Sequence, residues 1–323
     1  MRSLVRIIVL VLCAPLAVVG QSPQFVRMTL ERTLPIAPSA PGVGAPRILD
    51  ADLGRDRNVY VLVDGERSVR VYEGQVLRRR LGKEGSSARC SPALAPVALE
   101  IGRDGRIYVL DEVEASIRVY DYAGTCHREH TLEPHIRIIA DYQVDAFGKH
   151  VVLGYATDGL PLIHLFDSAF SYVASIGDLP NTLNDAPYPA REMGFIDADD
   201  LGRIHHAFDR RLVSYDLTSI SAEEGTEIHL GSPRVEPLKA LRSHRAEGRS
   251  VSSFLATGTA HLMTLGRSGG TETVLLAESG EEATLKTLPV PFSLLDQDPR
   301  RGLLLAVRKL DGVELLVYSL KMN

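Results

Sequence analysis

The chain has 323 residues, 45% of them apolar, with 36 Lys and Arg against 41 Asp and Glu, 27 Gly, 18 Pro, 3 Cys and no Trp. That apolar share suffices for a packed core and excludes a wholly disordered or low-complexity chain. The net charge of −5 becomes −7 (34 basic against 41 acidic residues) once a leader carrying Arg2 and Arg6 is set aside, which argues against electrostatic capture of nucleic acid or anionic lipid.

Met1 to Arg6 is short and basic, and Ile7 to Gly20 is fourteen residues without a charge, interrupted only by Pro15. A helix of that length reaches about 21 Å, short of the roughly 30 Å hydrocarbon core of a bilayer. Residues 1–20 therefore read as an export signal, with Val18 and Gly20 at a cleavage site before Gln21. Cys13 invites comparison with lipid-attachment cysteines, but Leu10, Val11 and Leu12 depart from the small residue that such a site wants directly before it. No later segment reaches eighteen uncharged apolar residues. Residues 21–323 are expected to form one exported domain, periplasmic or extracellular, monomeric, with no stable membrane span.

A repeat of about fifty residues organises that domain. Gly102-Arg103-Asp104-Gly105-Arg106-Ile107-Tyr108-Val109-Leu110 repeats Gly54-Arg55-Asp56-Arg57-Asn58-Val59-Tyr60-Val61-Leu62, and Ser116-Ile117-Arg118-Val119-Tyr120-Asp121 repeats Ser68-Val69-Arg70-Val71-Tyr72-Glu73, both at an offset of 48. More loosely, an aromatic residue closes an alternating run at Tyr72, Tyr120, Phe166, Tyr215 and Tyr318. Each unit alternates with period two, is rich in Val, Ile and Tyr, and turns at Gly, Asp or Asn, which predicts short antiparallel strands.

Innermost strands are expected near 48–53, 97–101, 138–144, 194–198, 251–256 and 292–297, each followed by a second and a third strand. Fourth strands are expected near 76–81, 126–132, 172–176, 226–230 and 284–288. The sixth unit stops after its third strand, and the alternating run Phe25–Leu34 ahead of the first unit is available to complete it. The expected fold is all-β: a six-bladed β-propeller of four-stranded antiparallel blades, closed by an N-terminal strand that completes the last blade.

Asp104 to Asp111, followed by Ile117-Arg118-Val119-Tyr120-Asp121 and Gly124, resembles an NHL repeat, and Leu81-Gly82-Lys83-Glu84-Gly85 with Pro96 fits the glycine-bearing inter-blade loop and proline of those repeats. The likeness is close over about 48–132, fainter to about 217 and weak beyond. It implies a six-bladed propeller of exported bacterial type. Such propellers serve mostly as protein or ligand platforms, with lyase and lactonase relatives, so the fold does not choose a function.

The predicted inner strands carry acids at Asp50, Asp52, Glu100, Asp141, Asp145, Asp197, Asp199 and Asp296. Carboxylates converging on one axis repel unless a hard cation such as Ca²⁺ neutralises them, which makes Asp52, Glu100, Asp145 and Asp199 the candidate metal set. The competing and favoured account is that Asp52, Asp145, Asp199 and Asp298 sit at strand ends and shape turns. The Glu-Gly-Pro motif of the calcium-dependent lactonases is absent, which weighs against that activity. Cys126-His127-Arg128-Glu129-His130, with His135 nearby, gathers metal-ligand types, but on a strand Cys126 and His130 lie about 13 Å apart and cannot share one zinc. Strand alternation likewise sends His205 and His206 to opposite faces of their sheet.

Cys90 and Cys126 form an even pair that could bridge in an oxidising compartment. Their predicted positions at opposite ends of a blade favour separate thiols instead. Arg78-Arg79-Arg80 reads as a sheet edge guarded against aggregation. The long connections 177–192 and 231–249 are the expected carriers of specificity. No Gly-x-Ser-x-Gly elbow, phosphate-binding glycine loop, His-Glu-x-x-His or paired Cys-x-x-Cys occurs. The functional expectation is a non-enzymatic platform for a protein, peptide or glycan, with no obligate cofactor. The alternative is a metal-dependent lactonase or lyase using channel carboxylates.

Overall fold

Runs in which Val, Ile, Leu and Tyr alternate with polar residues, cut at short intervals by Gly or Asp, favour short antiparallel strands. The computed structural model describes residues 26–38, 44–82, 90–91, 93–133, 136–156, 162–177, 193–199, 201–208, 211–217, 234–237, 250–257, 260–267, 270–277, 286–288, 293–298, 303–309 and 313–322. An opening strand, β1 (Val26–Pro35), is followed by a sheet of β2 (Ile48–Leu53), β3 (Val59–Val63), β4 (Val69–Glu73) and β5 (Val76–Leu81). The next sheet holds β6 (Pro96–Ile101), β7 (Ile107–Asp111), β8 (Ser116–Tyr120) and β9 (Cys126–Thr131). A third holds β10 (Ile136–Val144), β11 (His150–Ala156), β12 (Ile163–Phe166) and β13 (Tyr172–Ile176), and a fourth β14 (Phe195–Ala198), β15 (Arg203–Phe208), β16 (Arg211–Asp216) and β17 (Arg234–Pro237). Then come β18 (Ser250–Thr257), β19 (Ala260–Arg267), β20 (Gly270–Ala277) and β21 (Lys286–Leu288), and finally β22 (Ser293–Asp298), β23 (Leu303–Lys309) and β24 (Val313–Met322).

Every pairing is antiparallel, and β1 lies along β24, from Val26 opposite Met322 to Pro35 opposite Glu314. The first strand of each sheet rests against the first strand of the next: β2 on β6, β6 on β10, β10 on β14, β14 on β18, β18 on β22, and β22 on β2. The chain is thus an all-β propeller of four-stranded antiparallel blades.

One strand departs from the expected positions. The outer strand of the fourth sheet is Arg234–Pro237, paired with β16 from Arg211 opposite Pro237 to Ser214 opposite Arg234, where a loop was expected. Prolines at 233 and 237 disguise it, yet proline is tolerated on an outermost strand because one side of that strand needs no ladder donor. The alternating run at 226–230, the leader with Cys13, His135 and the connection 178–192 lie outside the described residues.

The 48-residue repeat has a packing reason. Tyr60 and Tyr108 each donate a hydroxyl to the aspartate four residues earlier, Asp56 and Asp104, at 3.1 Å. Their rings press on Gly54 and Gly102, where a Cβ would fall 2.6 and 2.7 Å from a ring carbon. The matching arginines, Arg70 and Arg118, are buried. Arg118 meets Asp111 at 3.1 Å and Glu129 at 2.8 Å and donates Nε–H to the Ser91 carbonyl, while Arg70 pairs with Glu66 and donates Nη1–H to the Ala37 carbonyl. Each arginine therefore anchors the segment that leads into its own sheet; Glu66 is shared with Arg80, whereas removing Arg118 would take the buried counter-charge from Asp111.

Cys90 and Cys126 are joined in a disulfide, with Cα atoms 6.1 Å apart, which corrects the expectation of separate thiols. The segment before β6 does not stay at its own end of the blade. Ser91 donates both its N–H and its hydroxyl to Glu129 of β9, so the segment runs beside the outer strand and brings Cys90 to Cys126. The five-residue cluster beginning at Cys126 is dispersed as alternation requires: His127 meets Asp121 at 2.9 Å, while His130 stacks elsewhere.

That stack joins the second and third sheets. Phe170, in the turn between β12 and β13, lies between His130 and His150, with ring centroids 3.9 and 4.0 Å away and near-parallel planes. Phe170 has φ 70°, a left-handed conformation costly for a bulky residue, and the two flanking rings favour it. His150 is buried, Tyr108 meets its ring edge-on, and its Nδ1 pairs with the Tyr142 hydroxyl at 2.8 Å. Burial, reinforced by the charge of His130 and opposed by Asp104 and Asp167, lowers the His150 pKa to about 3. Unfolded His150 takes up a proton below pH about 6.5 that the fold refuses, so its contribution to stability is complete above that value and lost as pH falls toward 3. In urea melts the lead of the wild type over His150→Phe is expected to shrink by about 2 kcal/mol between pH 7 and pH 5.

Candidate functional site

An innermost strand has one edge with no strand beyond it, and its buried N–H groups need acceptors. Aspartates of the preceding sheet supply them. Asp50 of β2 accepts from Leu99 N of β6 at 2.8 Å, Asp52 accepts from Ile101 N, and Asp141 of β10 accepts from Ile196 N of β14 at 2.9 Å. The other oxygen accepts the N–H of the next residue, Ala51 for Asp50 and Tyr142 for Asp141, at 2.8 and 2.9 Å. Asp50 and Asp141 each follow a register shift in their strand, between Ile48 and Asp50 and between Ile139 and Asp141, and Asp296 occupies the same place on β22. Bulges re-aim side chains, and those before Asp50 and Asp141 turn the aspartate toward its neighbour.

The staples crowd negative charge. Burial, then Asp52, Asp50, Asp197 and Asp141 in that order, raise the Glu100 carboxyl well above its ordinary range. Burial pushes Asp50 up to about 7 and Asp141 up to about 8, against the pull of the N–H bonds they accept. Such groups hold protons near neutral pH, which suits them to proton transfer or to a cation that replaces the proton.

The candidate metal set divides. Asp52 and Glu100 belong to the axial cluster. Asp145 closes the β10–β11 turn, accepting from Phe147 N and Lys149 N at 2.8 Å. Asp199 closes the β14–β15 turn, accepting from Leu201 N and Arg203 N at 2.9 Å. The turn account therefore holds for Asp145 and Asp199, and the four do not form one site. Among the described residues no group of three or more His, Cys, Asp or Glu is placed to hold a metal ion. The structure instead gathers Asp50, Asp141 and Asp197 around Asp52 and Glu100. The sequence signal for them was an acid one or three residues before the end of an inner strand.

Burial pushes the Asp199 carboxyl up, but bonds from His205, the Arg203 N–H and the Arg203 guanidinium outweigh it and bring its pKa below the ordinary range. His205 links Asp199 at 3.2 Å to the Ser214 hydroxyl at 2.8 Å. The same His–Ser pairing recurs at His164 and Ser175, 2.8 Å apart, with a backbone carbonyl, Gly154 O, in the acid's place. Both are cross-strand links that satisfy a buried imidazole. His206, on the opposite face, pairs with the Met193 carbonyl at 2.7 Å.

Neither a protein family nor a curated protein matches the chain in sequence, so the NHL likeness rests on the residues quoted above. Solved structures do match in fold. A Bacteroides fragilis protein assigned as exported superposes with a TM-score of 0.55 at 11% identity, over 92% of this chain and 95% of that one. A PQQ-bound aldose sugar dehydrogenase from Streptomyces coelicolor gives 0.51 at 13%, over 92% and 98%. Virginiamycin B lyase from Staphylococcus aureus, solved with quinupristin, gives 0.50 at 12%, over 90% and 88%. At these identities the likeness is one of fold. It spans an exported protein, a dehydrogenase and a lyase, and a shared fold does not choose among functions.

Above pH 6.5 the fold must release protons from Asp50 and Asp141 that the unfolded chain has already lost, so stability falls as pH rises toward 8. In Asp141→Asn, guanidinium melts between pH 6.5 and 8 are expected to show a decline about 2 kcal/mol smaller than in the wild type.

Proposed function

We propose that this chain is an exported, non-enzymatic six-bladed propeller, closed by β1 on β24, that binds a protein, peptide or glycan through the connections between its blades. The observation that carries the reading is the use of Asp50, Asp52 and Asp141 as backbone acceptors for the next sheet: the most conspicuous polar groups on the inner strands hold the ring together. Specificity then falls to the connections, which vary in length while the sheets repeat. The basic leader followed by an uncharged stretch and the Cys90–Cys126 bridge both favour an oxidising compartment. Among the described residues no helix is long and apolar enough to cross a membrane.

Affinity capture from an envelope or culture fraction is expected to recover a partner that competes saturably with free ligand. Failure to recover one, together with turnover of a small substrate, refutes the reading. Closure has its own test. Deleting Gln24–Leu34 uncovers β24 and is expected to lower the melting temperature and produce aggregates in size-exclusion chromatography; an unchanged monomer contradicts it.

A second reading follows from the carboxyls at about 7 and about 8, which lie where a general acid or base works best. On it the protein is a lactonase or lyase, with Asp52 and Glu100 holding Ca²⁺ and Asp50 or Asp141 moving the proton. Lactone turnover that requires added Ca²⁺ and is lost in Asp141→Asn would select it.

A further inference from the structure

A cleft of about 560 Å³ opens between β1 with its sheet partners and the β2–β3 turn. Its buried lining is apolar, from Leu53, Val317 and the partly buried Leu303, and its exposed side carries Arg32, Arg57 and Glu31. That volume is typical of a small-molecule site, and the division into apolar depth and charged mouth is that of a site for an amphiphile.

Three features mark the mouth as built for an anion. Arg32 is half-buried, burial lowers its pKa, and its Nη2 donates to the Arg57 carbonyl at 3.1 Å. Among the described residues no carboxylate lies within ion-pair distance of Arg32 or Arg57, while Glu31 accepts the Ser319 hydroxyl at 2.6 Å. The register of β1 slips between Leu30 and Arg32, a bulge that re-aims these two side chains.

The third feature is backbone strain. Arg57 has φ 66° in a turn closed by its N–H on Gly54 O. The turns that match it in the next three sheets close the same way, Gly105 on Gly102, Gly148 on Asp145 and Gly202 on Asp199, and place glycine at that left-handed residue, with φ of 82°, 80° and 78°. Among the four described copies, the turn beside the cleft alone holds a side chain there, and that side chain is a cation. Strain kept at one of four described copies of a repeated turn signals a task that glycine cannot perform.

We propose that this cleft binds an amphipathic carboxylate of the fatty-acid type, its chain against Leu53, Leu303 and Val317 and its head group at Arg32 and Arg57. The site uses none of the axial carboxylates and does not rest on the platform reading. The test uses the purified chain with hexanoate, octanoate, decanoate and decanol below their aggregation limits, followed by calorimetry and thermal shift. Saturable binding of decanoate is expected, tightening about fourfold per added methylene. Arg32→Gln should weaken decanoate at least tenfold and leave decanol unchanged. Arg57→Gly keeps the carbonyl that Arg32 uses and relieves the strain, so it should melt higher while binding decanoate several-fold more weakly. Because that variant is stabilised, it decides the matter even if Arg32→Gln folds poorly. No saturable binding by the wild type, equal affinity for decanoate and decanol, or decanoate affinity unchanged in Arg57→Gly would each overturn the proposal.

Discussion

The constraint on which this structure depends is the open edge of the innermost strand. A four-stranded sheet in a ring exposes one edge to the axis, where a further strand would not fit, yet the N–H groups there are buried and must be bonded. This chain answers with side chains from the previous sheet: Asp50 to Leu99, Asp52 to Ile101, Asp141 to Ile196. One contact thus satisfies an edge and fixes the spacing between neighbouring blades. An apolar core alone sets no such register, because hydrophobic burial is non-directional.

The electrostatics of the axis follows from that solution. An acceptor that must reach a neighbouring backbone is buried, and several of them around one axis feel each other's charge, so Asp50, Glu100 and Asp141 hold their protons more tightly than free carboxyls do. Buried imidazoles act in the opposite sense. His150 refuses a proton that the unfolded chain would accept. The two groups oppose one another between about pH 4 and 6.5, and the carboxyls alone govern the slope above it.

Much of this was legible in the sequence, and the losses have identifiable causes. The inner strands at 48–53 and 251–256 fall within β2 and β18 because period-two patterning reports sheet faces directly. The 48-residue offset led to Arg70 and Arg118 as partners in a repeat, though not to their role as anchors of the segments before each sheet, since carbonyls carry no sequence signature. The repeat pattern disfavours the disulfide because it leaves a connecting segment at its own end of the blade, and the bonds from Ser91 to Glu129 carry that segment to Cys126 instead. Asp145 and Asp199 were grouped with Asp52 and Glu100 because all four stand near inner-strand ends. Asp52 and Glu100 stand one residue inside the ends of β2 and β6, whereas Asp145 and Asp199 stand one residue past the ends of β10 and β14 and close the turns, and a shift of two residues leaves the alternation unchanged.

The repeat is most informative where it fails. Glycine at residues 105, 148 and 202 gives the left-handed turn at no steric cost, so Arg57 in the matching place is a departure with a definite energetic sign. It coincides with a bulge in β1, with an arginine that no described carboxylate neutralises, and with an apolar cleft, whereas the copies of the turn in the next three sheets keep glycine. In an architecture built by repetition, each copy is the control for the others. A local cost borne by one of four described copies belongs to what that copy does rather than to what the fold requires.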